Sequence, residues 1–369
     1  MNLILSTYLH SNPRITLYTG ATIEKIQGYV GHFKTQISTN HQAHPTNYEL
    51  EHGVVIVATG AKECETNRYL YGQDERVITQ HQLEERVAEG QFPGDAQVDG
   101  MHAPTVVMIQ CVDSRNEERP YCSRICCGQA IKNALRLKEI APETNVFILY
   151  RDIRTYGTKE LYYKKAREKG ILFIHFEDEE EPTIQKRDGN LEVTVRDHVI
   201  GRELLIRPDL LVLSVGLAAP EENKVLAQML KVPLNEDDFF LEAHVKLRPV
   251  DFATEGIFVC GLAHYPKFVD ESIAQAKAAA GRAATILSKE GIEAEGKVAQ
   301  VNETRCFGCG LCAEVCPYQA IEIAEPERIA SVNEALCKGC GVCSASCRTG
   351  AIDLKGFQDD QILATLEAM

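Results

Sequence analysis

Arg305-Cys306-Phe307-Gly308-Cys309-Gly310-Leu311-Cys312-Ala313-Glu314-Val315-Cys316-Pro317 is echoed by Cys337-Lys338-Gly339-Cys340-Gly341-Val342-Cys343-Ser344-Ala345-Ser346-Cys347, and together they hold eight of the chain's fourteen cysteines. In each copy three cysteines stand two residues apart and a fourth follows after three more. The first three wrap a loop around one cubane, and the fourth rides a short helix toward the neighbouring cluster. The spacing therefore predicts one [4Fe-4S] cluster on Cys306, Cys309, Cys312 and Cys347, and a second on Cys337, Cys340, Cys343 and Cys316. Glycines at 308, 310, 339 and 341 let the loops turn tightly and aim N–H groups at sulfur. The competing reading is a pair of zinc sites, but zinc draws its four ligands in pairs and leaves the third cysteine of each run without a use. One departure from the repeat is Arg348 after the last ligand, where the first copy has Pro317.

The repeat extends beyond the cysteines: Val301-Asn302-Glu303 returns as Val332-Asn333-Glu334, and Ala320-Ile321 as Ala351-Ile352. A duplicated half related by a pseudo-twofold axis explains why the fourth ligands can cross over. The unit is expected to span 291–369, with a linker at 291–297 and a terminal helix from 359. The chain has 369 residues, 44% hydrophobic and 25% charged, which suits two or three globular domains. A net charge of −14 argues against nucleic acid and anionic membranes, and makes a protein with a basic patch the expected partner. No apolar run approaches the length of a membrane span and no signal pattern opens the sequence, so a reducing, cytoplasmic location is expected, without membrane insertion.

Upstream, 14–18 and a hairpin over 23–38, broken at Gly28 and Gly31, read as strands. Gly53-Val-Val-Ile-Val-Ala-Thr59-Gly60 reads as a strand buried on both faces, ending where backbone passes close to a ligand. Gly256-Ile-Phe-Val-Cys260-Gly261-Leu-Ala263 reads likewise, and the alanine-rich helix starting near Ser272 offers free N–H groups to a pyrophosphate or flavin carbonyl. Between them, strands at 105–110, 146–150, 172–176, 191–195 and 210–214 alternate with helices at 123–139 and 158–169, the pattern of a doubly wound sheet. An acidic run at 177–181 reads as a solvated loop.

Where such a sheet would place G-x-G-x-x-G after its first strand, this chain has Cys111-Val-Asp113-Ser-Arg115, then Cys122-Ser-Arg-Ile-Cys126-Cys127. No dinucleotide fingerprint follows any strand, which disfavours NAD(P)H. Four cysteines clustered at a strand end and a helix N-terminus, where thiolate is favoured, point to a third cluster on Cys111, Cys122, Cys126 and Cys127. The alternative is buried packing, the reading given to Cys64 and Cys260. Lys132, five residues past Cys127 on the same helix, is a candidate catalytic cation directed at a flavin, or else a solvated lysine.

The Thr59-Gly60 and Gly261-Ala263 segments resemble motifs of two-domain flavoprotein disulfide reductases. Met108-Ile-Gln-Cys111 to Cys127, Leu149-Tyr-Arg-Asp-Ile-Arg-Thr-Tyr-Gly157, Phe239-Phe240-Leu-Glu-Ala-His-Val-Lys-Leu-Arg-Pro249 and the twin cysteine motif together resemble the heterodisulfide reductase A-subunit family, its iron-sulfur flavoproteins, over essentially the whole chain. The resemblance implies an α/β core with two dinucleotide-type domains, the flavin domain only partial, followed by an α+β 2[4Fe-4S] ferredoxin domain. Its expected divisions are a partial FAD domain at 1–103, an inserted nucleotide-type domain at 104–234, a return to the FAD domain at 235–290, and the ferredoxin domain at 291–369. It further implies FAD held by Thr59, Gly60, Gly261, Ala263 and Ser272, a cluster on the Cys111 set, and partner subunits in electron transfer linked to flavin-based bifurcation, with a hydrogenase or dehydrogenase as candidate donor. Family members begin with a G-x-G-x-x-G flavin half, which the resemblance assigns to another polypeptide or a longer gene. Two other readings stand beside this one: a flavin-free adaptor bridging redox partners, and a pyridine-nucleotide disulfide reductase, which would need a redox cysteine pair outside the cluster motifs that the sequence does not offer.

The counting leads to a direct test. The anaerobically reconstituted chain should hold about twelve irons with matching acid-labile sulfide, four per cubane. Zinc in place of iron, without sulfide, would refute the reading.

Overall fold

The computed structural model describes residues 11–39, 46–91, 103–291 and 296–368. Its largest layer is a parallel sheet in which Val77–Thr79, Leu210–Val215, Thr105–Val112, Asn145–Tyr150 and Leu172–His175 lie side by side in that order. Val106, Val107, Met108 and Ile109 are completely buried, as a continuous apolar run must be when both faces of its sheet are covered. The helix Cys126–Ile140 covers one face, laying Ala130, Ile131, Ala134 and Leu137 against Met108, Ile148 and Val212.

The opposite face is closed by an antiparallel sheet of Thr183–Arg187, Asn190–Asp197 and Arg202–Ile206, whose Leu191, Val193 and Val195 meet Val107, Ile109 and Leu213. Residues 191–195 thus form a strand, as the sequence predicts, but in the covering sheet rather than the doubly wound one. The two-residue link Asp188-Gly189, with φ of 51° and 81°, makes a tight hairpin, and a hairpin can join only antiparallel neighbours. The acidic run at 177–181 is the solvated loop expected, with only Glu180 half-buried, and it also carries ion pairs: Asp178 lies 2.9 Å from Arg151, Glu180 pairs with Arg196 and His198, and Glu181 pairs with Arg68. Val77–Thr79 joins this sheet from before residue 104, so the α/β layer begins upstream of the expected division.

In the second unit, Ile257–Val259 runs parallel to Val55–Val57, with Val55 opposite Ile257, although some two hundred residues separate them in the chain. Phe33, Val57, Phe240, Phe252 and Val259 form its core. Val55–Val57 is not buried on both faces as expected, since Ile56 is 41% exposed. Residues 14–18 form no strand. The hairpin Ala21–Tyr29 and His32–Thr39 turns at Gly31, while Gly28 lies within the first strand. The helix Val269–Leu287 starts one turn before Ser272 and packs Ala279 and Ala283 on Val250, Phe258 and Cys260. Among the described residues no helix is long and apolar enough to cross a membrane.

In the C-terminal unit Ala299–Val301 pairs with Ile352–Leu354, and Ile321–Ala324 with Ile329–Val332. Each half's first strand belongs to a different pair, which locks the halves together. Asp359–Glu367 is the expected terminal helix, and most of the expected linker, 292–295, lies outside the described residues. Gly308 and Gly339 occupy matching places, at φ of 62° and 59°. A Cβ on either would fall 1.8 Å from the Arg328 carbonyl oxygen or 2.2 Å from that of Lys297. Gly72 also has positive φ, at 76°, but open surroundings. Gly72→Ala should therefore cost only the left-handed strain, about 1–2 kcal/mol, and Gly308→Ala clearly more because a backbone carbonyl must also move. Anaerobic thermal unfolding of the two variants checks this, and equal losses would mean the close approach is immaterial.

Candidate iron-sulfur and flavin sites

The C-terminal fold sorts its eight cysteines into two sets. Cys306, Cys309, Cys312 and Cys347 line one cavity, and Cys316, Cys337, Cys340 and Cys343 line the other. Both short helices, Leu311–Glu314 and Val342–Ser346, begin after a left-handed glycine, Gly310 or Gly341, which turns the loop onto the helix. Backbone N–H groups reach the sulfurs in symmetric pairs: Ala330 to Cys306 at 3.5 Å and Ala299 to Cys337 at 3.3 Å, then Ala320 to Cys316 and Ala351 to Cys347, both at 3.3 Å. Such donors stabilise thiolate sulfur and suit an anionic cluster. Among the described residues no three His, Cys, Asp or Glu side chains converge on the position of a single metal ion. A zinc would draw its thiolates to about 2.3 Å from one point, whereas a cubane takes each thiolate on a separate iron. The donor set fits the larger group at both places; the cavity lined by Cys306, Cys309, Cys312 and Cys347 has about 160 Å³ of room, while the four sulfurs of the other close in on about 10 Å³.

The second cysteine group surrounds the end of Thr105–Val112. Cys111, Asp113 and Arg115 all have left-handed φ, of 60°, 53° and 59°, so the place where glycine is expected does require that conformation and an aspartate adopts it. The loop is held by Ser114 Oγ donating to the Tyr121 carbonyl at 3.0 Å, and by Arg151 donating to the carbonyls of Ser114 and Arg115 at 2.7 and 3.2 Å. Asp113 keeps a buried carboxylate oxygen without a hydrogen-bond partner. Cys126 and Cys127 are buried at the start of the helix, while Cys111 and Cys122 are half-buried and close enough for their charges to act on both. The expectation that the helix N-terminus favours thiolate here is corrected: burial pushes the Cys126 thiol well up and that of Cys127 up to about 11. Desolvation outweighs the dipole, and only a bound metal would keep these sulfurs ionised. Cys64 and Cys260 are buried, Cys260 within the apolar core beneath Val269–Leu287.

A groove of about 1230 Å³ separates the helix Cys126–Ile140 from the start of Val269–Leu287, and both Lys132 and Ser272 line it. At that volume it is wider than an ordinary small-molecule pocket, with room for a flavin ring but no close fit to one. Lys132 is largely exposed, and its Nζ sits 2.6 Å from a Glu84 carboxylate oxygen. The other expected flavin contacts do not line the groove. Thr59 donates to Asn223 at 3.2 Å, Gly60 has φ of 80° in open surroundings, and Ala263 is buried in the core with its carbonyl accepting from Phe240. Gly261 has its N–H bonded to Gln275 Oε1 at 2.9 Å and its carbonyl to Lys267 Nζ at 2.6 Å. Residues missed in the sequence are Lys267 and Phe268, which line the groove, and Arg124, which reaches across to Glu271 at 2.8 Å. The available signal was a lysine placed just ahead of a small-residue helix.

Residues 294–354 match the family model of a 4Fe-4S dicluster domain. The chain is 41% identical over 299 residues to the A-subunit of the H(2):CoB-CoM heterodisulfide,ferredoxin reductase of Methanothermobacter marburgensis, covering 78% of this chain and 45% of that protein. It is 40% identical over 345 residues to the iron-sulfur A-subunit 1 of the CoB--CoM heterodisulfide reductase of Methanopyrus kandleri, covering 88% and 51%. Among solved structures, T. acidophilum thioredoxin reductase aligns with a TM-score of 0.46 at 18% identity, over 78% of this chain and 79% of the other. The chain spans about half the length of the curated relatives it matches. With the twin cysteine motif folded as a dicluster domain and some two-fifths identity sustained across most of its length, the chain belongs to the heterodisulfide reductase A-subunit family.

Proposed function

We propose that this chain is an electron-transfer subunit of a heterodisulfide reductase-type complex, an oxidoreductase that works with partner redox subunits and can take part in flavin-based bifurcation. The observation that carries the proposal is the sorting of the C-terminal cysteines into two crossed sets of four. Each set would hold a [4Fe-4S] cluster, and Cys111, Cys122, Cys126 and Cys127 a third. FAD would bind with its ring in the groove between Lys132 and Ser272, next to the Cys111 set. When bound, the clusters and flavin supply one- and two-electron storage. The protein's own residues fix their spacing, exclude water from Cys126 and Cys127, and place a cation, Lys132, on the flavin side of the cluster helix. The ion pair with Glu84 holds that cation in the groove wall. The H(2) and H(2)/formate in relatives' names support a hydrogenase or formate-type dehydrogenase as the electron source.

A flavin-free adaptor is the second reading, favoured by Gly261, whose N–H and carbonyl are both already bonded within the chain. A flavin absorbance band in protein isolated anaerobically from its native host separates the two readings. For the third cluster, Cys122→Ala should remove about four irons and leave about eight. An unchanged iron count would make the Cys111 group structural. Glu84→Gln should leave the iron count intact and alter only flavin-dependent turnover. Turnover equal to the parent's would reduce Lys132 to a surface lysine.

A further inference from the structure

Lys267 carries the one buried ammonium among the described residues of the groove's lining: the residue is 9% exposed, and it also borders a smaller cavity of about 330 Å³ shared with Glu242 and His264. Its Nζ donates to the carbonyls of Gly261 at 2.6 Å and Tyr265 at 2.7 Å, and stands 3.4 Å from His264 Nδ1. Gln275 decides the state of that histidine. Its Oε1 accepts from Gly261 N, so its Nε2 faces His264 Nδ1 at 2.8 Å and donates to it. Nδ1 is then an acceptor, and the proton of neutral His264 lies on Nε2, 2.7 Å from a Glu242 oxygen. Burial pushes the His264 pKa down, so a neutral ring faces Lys267 and supports it without repelling it.

Two further observations point to a negatively charged occupant. The Thr155 hydroxyl lines the same groove, buried and without a hydrogen-bond partner. Asp270 and Glu271 already occupy the first turn of Val269–Leu287, but among the described residues lining the groove Lys132, Arg136, Lys159, Lys165 and Lys267 outnumber Glu84 and Glu139, a balance that favours an anion. Resting on the flavin reading of the groove, we propose that Lys267 pairs its ammonium with the anionic, reduced flavin ring, so that the charge on Lys267 sets how much more tightly reduced FAD is held than oxidised FAD. Arg124 and Glu271, from the cluster loop and the helix, face Lys267 with opposite signs, Cys260 and Glu242 also lie near, and burial outweighs them all to bring Lys267 down to about 8. The ammonium is therefore present below that pH and lost above it.

The test is titration of the chain, joined by the G-x-G-x-x-G flavin half taken from a complete relative, with oxidised and dithionite-reduced FAD, anaerobically, below and above pH 8. It is paired with mass-spectrometric mapping of amine acylation at Lys267. Below pH 8 reduced FAD should bind more tightly than oxidised FAD by at least about tenfold, and the gap should shrink above it. Lys267→Met should abolish the gap, and Lys267→Arg should restore it without the pH dependence, since arginine does not titrate there. Bound FAD should shield Lys267 from acylation. A Lys267→Met variant that keeps the parent's gap and pH profile, or bound FAD that leaves Lys267 open to acylation, overturns the role of Lys267 while leaving the groove as the flavin site. Failure of either form of FAD to bind once the G-x-G-x-x-G half is supplied brings down the flavin site and this proposal together.

Discussion

Arg124 connects the two halves of the molecule on which the groove depends. It belongs to the loop between Cys122 and Cys126, donates to Glu271 on the return helix at 2.8 Å, and lies 5.3 Å from the ring centre of Phe268. Lys159 makes a parallel tie, 3.3 Å from Asp270 and 4.0 Å above the same ring. Cation–ring contacts of this kind contribute about 0.5–2 kcal/mol each, and the ion pairs are partly shielded from water. The sum is modest, yet these contacts close a wall that the chain makes from segments more than a hundred residues apart. The cysteine loop and the flavin-side helix are thereby held as one surface.

Strain and desolvation concentrate at that junction. Left-handed residues at 111, 113, 115 and 124, and a carboxylate oxygen of Asp113 without a partner, are costs that a plain βα turn would avoid. Cys126 and Cys127 add thiols too buried to ionise unaided. Metal binding would convert those costs into affinity, because ionised sulfur shared among irons no longer needs water. A loop with no ligand to hold would have little reason to keep this conformation.

Much of this was legible in the sequence, for reasons that differ by region. Cysteine spacing in the C-terminal unit is dictated by loop geometry, so the grouping of ligands could be written down before any coordinates. The run Val106 to Ile109 likewise declares a strand covered on both sides. Val77–Thr79 was not readable, being three residues long and held by tertiary contacts, its partner strand and the two core clusters that take Val77 and Ile78. The covering sheet was misassigned because an apolar strand looks the same in either layer, and only the Asp188-Gly189 turn distinguishes them. Lys267 was hidden because its burial comes from folding the Gly261 turn against Glu242, Gln275 and His264, residues that share no pattern. Ala263, taken as a flavin contact from its segment's resemblance to a flavoprotein motif, lies instead in the core with Phe240 and Phe252.

The crossing of Cys316 and Cys347 into each other's cavities has a bearing on synthesis. The cavity lined by Cys306, Cys309 and Cys312 gains its fourth wall only from Cys347, which leaves the ribosome after every other cysteine in the chain. Neither half can therefore be completed while the other is still unmade. A growing chain completes the Cys316, Cys337, Cys340 and Cys343 set first and displays Cys306, Cys309 and Cys312 as a three-thiol half-site until Cys347 has emerged, so iron delivery to that set has to follow the last cysteine.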